Sequence, residues 1–206
     1  MRLIPTKTFF NLSSAKQERI ITAALEEFSK RCFDQAKLSN IIRNANIPRG
    51  SFYQYFDNKK DLYLYLFKII GDKKVEYLKE LLSNKAEIPF LELFKILYAQ
   101  GIKFAIDHPQ YMGIYKLFIS TKGPIYDELM GEGYQQTKAY YINYIKADKA
   151  KGIIRKDVDA ETLADLVINL TTNIALTELE MNENIDYNNL LIKINKVIDI
   201  FKKGIE

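Results

Sequence analysis

Apolar residues recur along most of the chain at the spacing of an α-helix. Near the N terminus, Ile20, Ala24 and Phe28 are four residues apart, which places them on one face of a helix. Ser14 followed by Gln17 has the form of a capping box, in which two side chains satisfy the free N–H groups at a helix start. The pattern therefore predicts a first helix that begins at Ser14.

Two short helices and then a series of longer ones follow in the pattern. The short helices are expected at about 38–45 and 49–56, joined by a turn in which Asn46 suits a left-handed position and Pro48 suits a helix start. The longer helices are expected at 59–83, 89–107, 109–120, 124–150, 159–181 and 186–203. The chain is therefore predicted to be all-α, with an N-terminal three-helix bundle followed by a C-terminal bundle of about six helices.

The composition narrows the class of protein. Apolar residues make up 48% of the 206 residues, which is enough for a sizeable core. We find neither an apolar run of the roughly 18 residues that a membrane span needs nor the pattern of a signal peptide. The single cysteine, Cys32, excludes a disulfide framework or a cysteine-based zinc site within one chain. These features fit a reducing, cytoplasmic setting.

Positive charge is concentrated near the N terminus. Residues 1–60 hold 11 Lys and Arg against 5 Asp and Glu, whereas the other 146 residues hold 19 against 21. A solvated basic face would explain this bias, and so would a module that meets a polyanion.

We expect no catalytic, metal or cofactor site. The one histidine, His108, lies in Asp107-His108-Pro109, a sequence typical of a helix end. The chain shows no nucleophile paired with a base, no phosphate-cradling loop and no acidic cluster with metal-ligand spacing. An enzyme built on a helical bundle is an alternative that these absences disfavour.

The two short helices in the basic segment have the features of a helix-turn-helix. Gly50 and Ser51 make the start of the second helix slim enough to enter a major groove, while Phe52 and Phe56 hold its back face. The outward face would then carry donors for phosphates and base edges: Arg49, Ser51, Tyr53, Gln54 and Tyr55. An ordinary helical hairpin with surface aromatics is the alternative.

The stretch from Phe28 to Leu62, FSKRCFDQAKLSNIIRNANIPRGSFYQYFDNKKDL, resembles the N-terminal signature of the Tet repressor (TetR) family of transcriptional regulators. The shared features are Phe33, Ile41, the run from Gly50 to Phe56, Lys59 and Leu62. The resemblance implies a DNA-binding domain at 1–58 and an effector-binding and dimerisation domain at 59–206.

Two departures from the family pattern precede the first of the short helices. Cys32 stands where the family usually has glycine, so a left-handed turn there would be strained or replaced. Ala36-Lys37 stands where Thr or Ser usually caps that helix, which predicts a weaker cap.

The resemblance also implies roles in DNA binding for individual residues. Tyr53 and Tyr55 would contact phosphates, and Lys59 would hold a phosphate at the start of the next helix. Lys37 could reach a phosphate, and Ser39 would touch the DNA backbone or a flanking base. The residues that would face base edges are Arg49, Gly50, Ser51 and Gln54.

For the C-terminal bundle, the resemblance implies a dimer made by the last two helices and a small-molecule effector. Apolar residues that could pack in the dimer, or in the core of one chain, are Leu163, Leu166, Val167, Leu170 and Ile174. A ligand pocket, or again only core, could be formed by Phe94, Tyr98, Phe104, Tyr115, Phe118, Tyr126 and Tyr141, with Asn169 and Asn173 as polar members.

The predicted function is a homodimeric, sequence-specific DNA-binding regulator. It would repress from a palindromic or pseudopalindromic operator and be released by a small, largely apolar or aromatic ligand. A DNA-binding dimer with no small-molecule effector is the second hypothesis, and a helical-bundle enzyme is the third.

Overall fold

The computed structural model describes residues 5–83, 88–121, 123–181 and 186–205. Over these residues the chain forms helices and no strand, which confirms the all-α prediction. The helices are α1 (Lys7–Phe10), α2 (Ser14–Phe28), α3 (Leu38–Asn44), α4 (Arg49–Tyr55), α5 (Lys59–Ser83), α6 (Phe90–Asp107), α7 (Pro109–Ser120), α8 (Pro124–Lys151), α9 (Ala160–Met181) and α10 (Tyr187–Ile205). None of the described helices combines the length and the apolarity needed to cross a bilayer.

The helix start at Ser14 is confirmed, but the predicted capping box is wrong. Ser13 occupies the cap position of α2 without a side-chain hydrogen bond. Gln17 instead donates from Nε2 to the carbonyl oxygens of Phe10 and Leu12, at 3.3 and 2.9 Å. Gln17 therefore ties α2 to the segment before it, which contains the unpredicted helix α1.

The turns around the short helices follow the predicted chemistry. Asn46 adopts a left-handed conformation with φ of 51°, and Pro48 directly precedes α4. At the start of α5, the Asp61 N–H donates to Asn58 Oδ1 at 3.0 Å, and the Asp57 N–H donates to Asp61 Oδ2 at 3.1 Å. The first bond satisfies a free N–H group of α5, and the second ties the segment just before α5 to its first turn.

The described residues divide into two compact units. The first contains residues up to 77 together with 105–121, and the second contains 78–104 together with the residues from 123 on. The predicted functional boundary at residue 58 stays a prediction.

The core of the first unit is built mostly from aromatic and branched side chains. Ile20, Phe28, Ile41, Phe52 and Phe56 are almost fully buried there. In the same unit α7 packs closely on the end of α2. A Cβ added to Gly113 would lie 3.0 Å from Ser29 Cβ, so the close approach depends on glycine.

In the second unit, α6, α8, α9 and α10 share one apolar core. The centroid of the Phe90 ring lies 5.2 Å from that of Tyr141, and the centroid of the Phe94 ring lies 5.8 Å from that of Tyr141. The buried carboxylate of Asp148 accepts the Phe90 N–H at 2.6 Å and so anchors the start of α6 to α8. Gly152 ends α8 in the left-handed conformation that favours glycine.

Candidate nucleic-acid interface

Helix α4 has one buried face and one exposed polar face. Phe52, Tyr55 and Phe56 point into the core of the first unit. Arg49, Gly50 and Gln54 are exposed, Tyr53 is 44% exposed, and Ser51 is half-buried. The polar side chains that the sequence assigned to DNA contacts are thus presented outward, with one exception.

The exception is Tyr55, whose predicted place on the outward face is wrong. Tyr55 is only 3% exposed, and its ring centroid lies 6.2 Å from that of Phe9, with Lys16 Nζ 5.9 Å above it. Position 55 is three residues after Phe52, so the helical period places both on the same face. That period is the signal that could have corrected the assignment.

A cleft of about 440 Å³ separates the exposed ends of α3 and α4 and brings several cations together. Its lining residues are Lys37, Leu38, Ser39, Ile42, Arg43 and Arg49. Arg43 was missed from the sequence, although it lies one helical turn after Ser39 and therefore on the same face. Three positive side chains at one cleft suit a polyanionic ligand.

Lys59 begins α5 as predicted, but its side chain is directed elsewhere. Nζ donates to the carbonyl oxygens of Phe33 and Ala36 at 2.6 and 2.8 Å, and it lies 4.5 Å from the centroid of the Phe33 ring. Lys59 therefore holds the segment between α2 and α3. In the structure this contact replaces the expected outward position at a phosphate.

The two departures before α3 are resolved by other residues. Asn46 is the only non-glycine residue with positive φ in the described ranges, so Cys32 bears no left-handed strain. Lys37 occupies the cap position of α3 and makes no side-chain cap bond. Its N–H donates instead to Glu27 Oε1 at 2.9 Å. The weaker local cap is thus confirmed, and a carboxylate from α2 compensates for it.

Glu27 was not recognised from the sequence. It is 4% exposed, and its oxygens also accept bonds from Asn40 Nδ2 and Arg31 Nη1, each at 3.1 Å. Burial by itself would raise the pKa of Glu27, but the bonds from Lys37, Asn40 and Arg31 lower the pKa below its usual value. Glu27 is therefore a fully bonded anion at the start of α3.

The N-terminal segment holds the other end of α4. The Thr6 hydroxyl donates to the Gln54 carbonyl oxygen at 2.6 Å, and the Thr6 N–H donates to the Tyr55 carbonyl oxygen at 3.1 Å. Phe9 is fully buried, with its ring centroid 5.2 Å from that of Phe56. These contacts satisfy carbonyl groups that a helix end leaves free.

The residues predicted to line a ligand pocket are divided between the two units. Tyr115 and Phe118 lie in the first unit, whereas the other seven lie in the second. Phe94 and Phe104 are buried, while Tyr98, Tyr126 and Tyr141 are half-buried. Burial and the neighbouring Tyr140 raise the pKa of Tyr141 to about 12, so its hydroxyl stays protonated.

The two polar members predicted for the pocket lie at the surface. Asn169 and Asn173 are exposed, and Asn169 Nδ2 donates to the Tyr134 hydroxyl at 3.3 Å. They face away from the core because the buried positions of α9, such as Leu163 and Val167, lie on the other side of the helix. Their assignment to an apolar pocket is therefore corrected.

The five predicted dimer residues fall on different faces of α9. Leu163 and Val167 are buried in the core of their own chain, and Ile174 packs against that core, so these three do not form a free surface. Leu166 and Leu170 are 51% and 41% exposed. Two large apolar residues of α10 are exposed as well, Ile192 and Ile200.

Comparisons with known proteins agree with the geometry of the first unit. Residues 20–66 match the family model described as bacterial regulatory proteins, tetR family. The chain is 34% identical over 71 residues to the fatty acid metabolism regulator protein of Bacillus subtilis. That match covers 34% of this chain and 37% of the relative's own length.

Solved structures extend the similarity to nearly the whole chain. A TetR family transcriptional regulator from Chloroflexus aurantiacus is 29% identical, with a TM-score of 0.71 over 98% of this chain and 99% of that one. The regulator FadR from Bacillus subtilis, solved in complex with stearoyl-CoA, is 17% identical and shares the fold, with a TM-score of 0.72 over 92% and 99% of the two chains. This chain belongs to the TetR family of bacterial transcriptional regulators.

Proposed function

We propose that the protein binds operator DNA through the exposed face of α4 and the cationic cleft beside it. The observation that carries this proposal is the cleft itself, where Lys37, Arg43 and Arg49 meet next to a slim helix start. Arginine bonds in two places to guanine, and glutamine does so to adenine, so Arg49 and Gln54 are suited to read bases.

The remaining outward residues serve mainly to position the DNA-binding head, by which we mean helices α1–α4 and the start of α5, on DNA. Lys37, Ser39 and Tyr53 donate to phosphates, while Gly50 and Ser51 allow the helix start to approach base edges closely. Tyr55 and Lys59, which the sequence had assigned to phosphates, act by holding the head together.

The test is binding to DNA taken from upstream of the protein's own gene, measured by fluorescence anisotropy over a range of salt concentrations. We expect Arg49→Ala to lower the affinity at least about tenfold and to reduce the salt slope by about one. Lys156→Ala removes an exposed charge in the second unit and is the control. A wild-type protein that prefers no upstream sequence over random DNA would contradict specific regulation.

We further propose a homodimer formed by α9 and α10. These helices leave Leu166, Leu170, Ile192 and Ile200 exposed, and a second copy that covered them would remove their apolar surface from water. A twofold dimer would present two copies of α4 to a palindromic operator, with half-sites about 34–36 Å apart.

Sedimentation tests the dimer. Leu166→Glu places a charge on the proposed surface and is expected to give a monomer. Val75→Glu is the control, because Val75 is also an exposed apolar residue but belongs to α5 in the first unit. A wild-type monomer, or a dimer that Leu166→Glu leaves intact, would contradict this surface.

We propose that a small, largely apolar or aromatic ligand releases this regulator from DNA, so that it acts as a cytoplasmic repressor. Support comes from the aromatic side chains of the second unit and from FadR, which shares the fold and was solved with stearoyl-CoA. The ligand would favour a dimer state in which the two α4 helices are wrongly spaced for DNA.

Stearoyl-CoA and free coenzyme A form a matched pair of probes for the effector. If an acyl chain occupies the second unit, only stearoyl-CoA should raise the melting temperature and displace the protein from DNA. An aromatic dye such as anilinonaphthalene sulfonate probes an aromatic site in the same way. The close packing of Phe90 and Phe94 on Tyr141 favours the alternative of a dimer with no effector, and no response to any probe would support it.

A further inference from the structure

The carboxylate of Glu27 does for α3 what a residue of α3 itself does in a capping box. In that motif, a Glu at the third helical position accepts the N–H of the cap residue. Here the cap residue is Lys37, the third helical position is Asn40, and both donate to a carboxylate that belongs to α2. The start of α3 is therefore fixed to another helix through the bonds of two residues.

The bonds continue from Glu27 to the cationic cleft. Asn40 donates to Glu27 from Nδ2 and accepts at Oδ1 from Arg43 Nη2, at 3.4 Å. Arg43 lines the cleft together with Lys37 and Arg49. Glu27 itself is buried and so does not reach a ligand in the cleft.

We propose that Glu27 is a positioning residue for DNA binding, because it fixes the start of α3, where Lys37 and Ser39 lie, and is linked through Asn40 to Arg43 in the last turn. The proposal rests on the proposed function, in which these side chains meet DNA. Simple electrostatics predicts the opposite sign, because removing a negative charge near DNA should strengthen binding. Positioning predicts that binding weakens.

The experiment measures operator affinity by anisotropy for three single variants. Glu27→Gln keeps the side-chain volume but presents an amide to three donors, and we expect it to weaken binding about tenfold. Glu27→Ala is expected to weaken it further. Glu26→Ala is the control, since Glu26 is the exposed neighbour and carries the same charge. It should leave the affinity unchanged or slightly raised.

A rescue variant separates a lost cap from a general loss of stability. Lys37 has the extended backbone of a cap residue. A threonine at this position can therefore accept an N–H of α3 with its own hydroxyl. In the Glu27→Ala background, Lys37→Thr should bind operator more tightly than Lys37→Ala, because both remove the same phosphate donor and only threonine can cap α3.

Amide hydrogen exchange at Lys37 measures, in the absence of DNA, whether its N–H is bonded to Glu27. Glu27→Gln should speed exchange there, whereas Glu26→Ala should not. Variants of Glu27 that bind operator like the wild type, or a threonine rescue no better than alanine, would overturn the positioning role alone. A wild-type protein without operator preference would overturn the proposed function, and the positioning role with it. This would hold even if hydrogen exchange showed that the Lys37 N–H is bonded to Glu27.

Discussion

Replacing Lys59 by methionine distinguishes a structural lysine from a phosphate ligand. Methionine keeps most of the aliphatic stem but cannot donate to the carbonyl oxygens of Phe33 and Ala36, which lie 2.6 and 2.8 Å from Nζ. A hydrogen bond to a charged group contributes about 1.5–3 kcal/mol. Because the side chain is only half-buried, solvent screening reduces the combined contribution of the two bonds. We therefore expect the free energy of unfolding to fall by about 2–4 kcal/mol.

The assay is thermal unfolding by circular dichroism at one fixed protein concentration. In a chain of this length each kcal/mol shifts the melting temperature by roughly 2–4 °C, so Lys59→Met should lower it by roughly 10 °C. Lys60→Met removes the same charge from the next position and is the control. If Lys59→Met left the melting temperature unchanged but reduced the salt slope of operator binding by about one, Lys59 would be a phosphate ligand and our reasoning would be wrong.

Three further predictions concern the packing and the pH dependence of the first unit. Phe9→Ala should cost about 3–5 kcal/mol in calorimetry because the ring is fully buried, whereas Phe10→Ala at a 52% exposed ring should cost far less. Gly113→Ala should cost about 1–3 kcal/mol, while Gly71→Ala, with nothing within 4 Å, should stabilise slightly; equal effects would argue against close packing. The folded pKa of Glu27 lies below its ordinary 4.5, so its contribution to stability is present above that value and is lost as the pH falls through the folded pKa. Urea unfolding of Glu27→Gln should therefore depend less on acid pH than that of the wild type, and identical pH profiles would contradict this.

The positions of the helices could be predicted because their ends depend on local chemistry. Pro109 and Pro124 begin helices, as proline in a first turn does, and Gly152 ends one with positive φ. The short α3 and α4 were also predictable, because Asn46 supplies the left-handed turn between them. Each of these signals lies within a few residues of the feature that it determines.

The contacts that hold the DNA-binding head together could not be predicted in this way. Thr6 bonds to Gln54 and Lys59 to Phe33, pairs that are 48 and 26 residues apart in the chain. A bond between a side chain and a distant backbone atom produces no periodic pattern in the sequence. The resemblance to the TetR signature placed Lys59 at the start of α5 correctly, but it could not show which oxygens the ammonium group would meet.

The faces of α9 were ambiguous for a different reason. Leu163 and Val167 define one apolar face, and Leu166 and Leu170 define another, each pair four residues apart. Both pairs have the period of a buried helix face, so the sequence cannot say which one the chain covers itself. The structure buries the first pair and leaves the second exposed, so the second pair is available to the dimer that we propose.

The bonds that fix α3 and α4 use backbone atoms of the DNA-binding head, namely the Lys37 N–H and the carbonyl groups of Gln54 and Tyr55. These atoms are present whatever the side chains are. Substitutions at the outward positions Arg49 and Gln54 should therefore change operator preference while altering stability by only about 0.5 kcal/mol. Selection of binding sites from random DNA, together with melting temperatures, would check this for a library at the two positions. Most library members could instead unfold when they lose affinity for the original operator. The outward side chains would then contribute to stability as well as to base recognition, and our expectation would be contradicted.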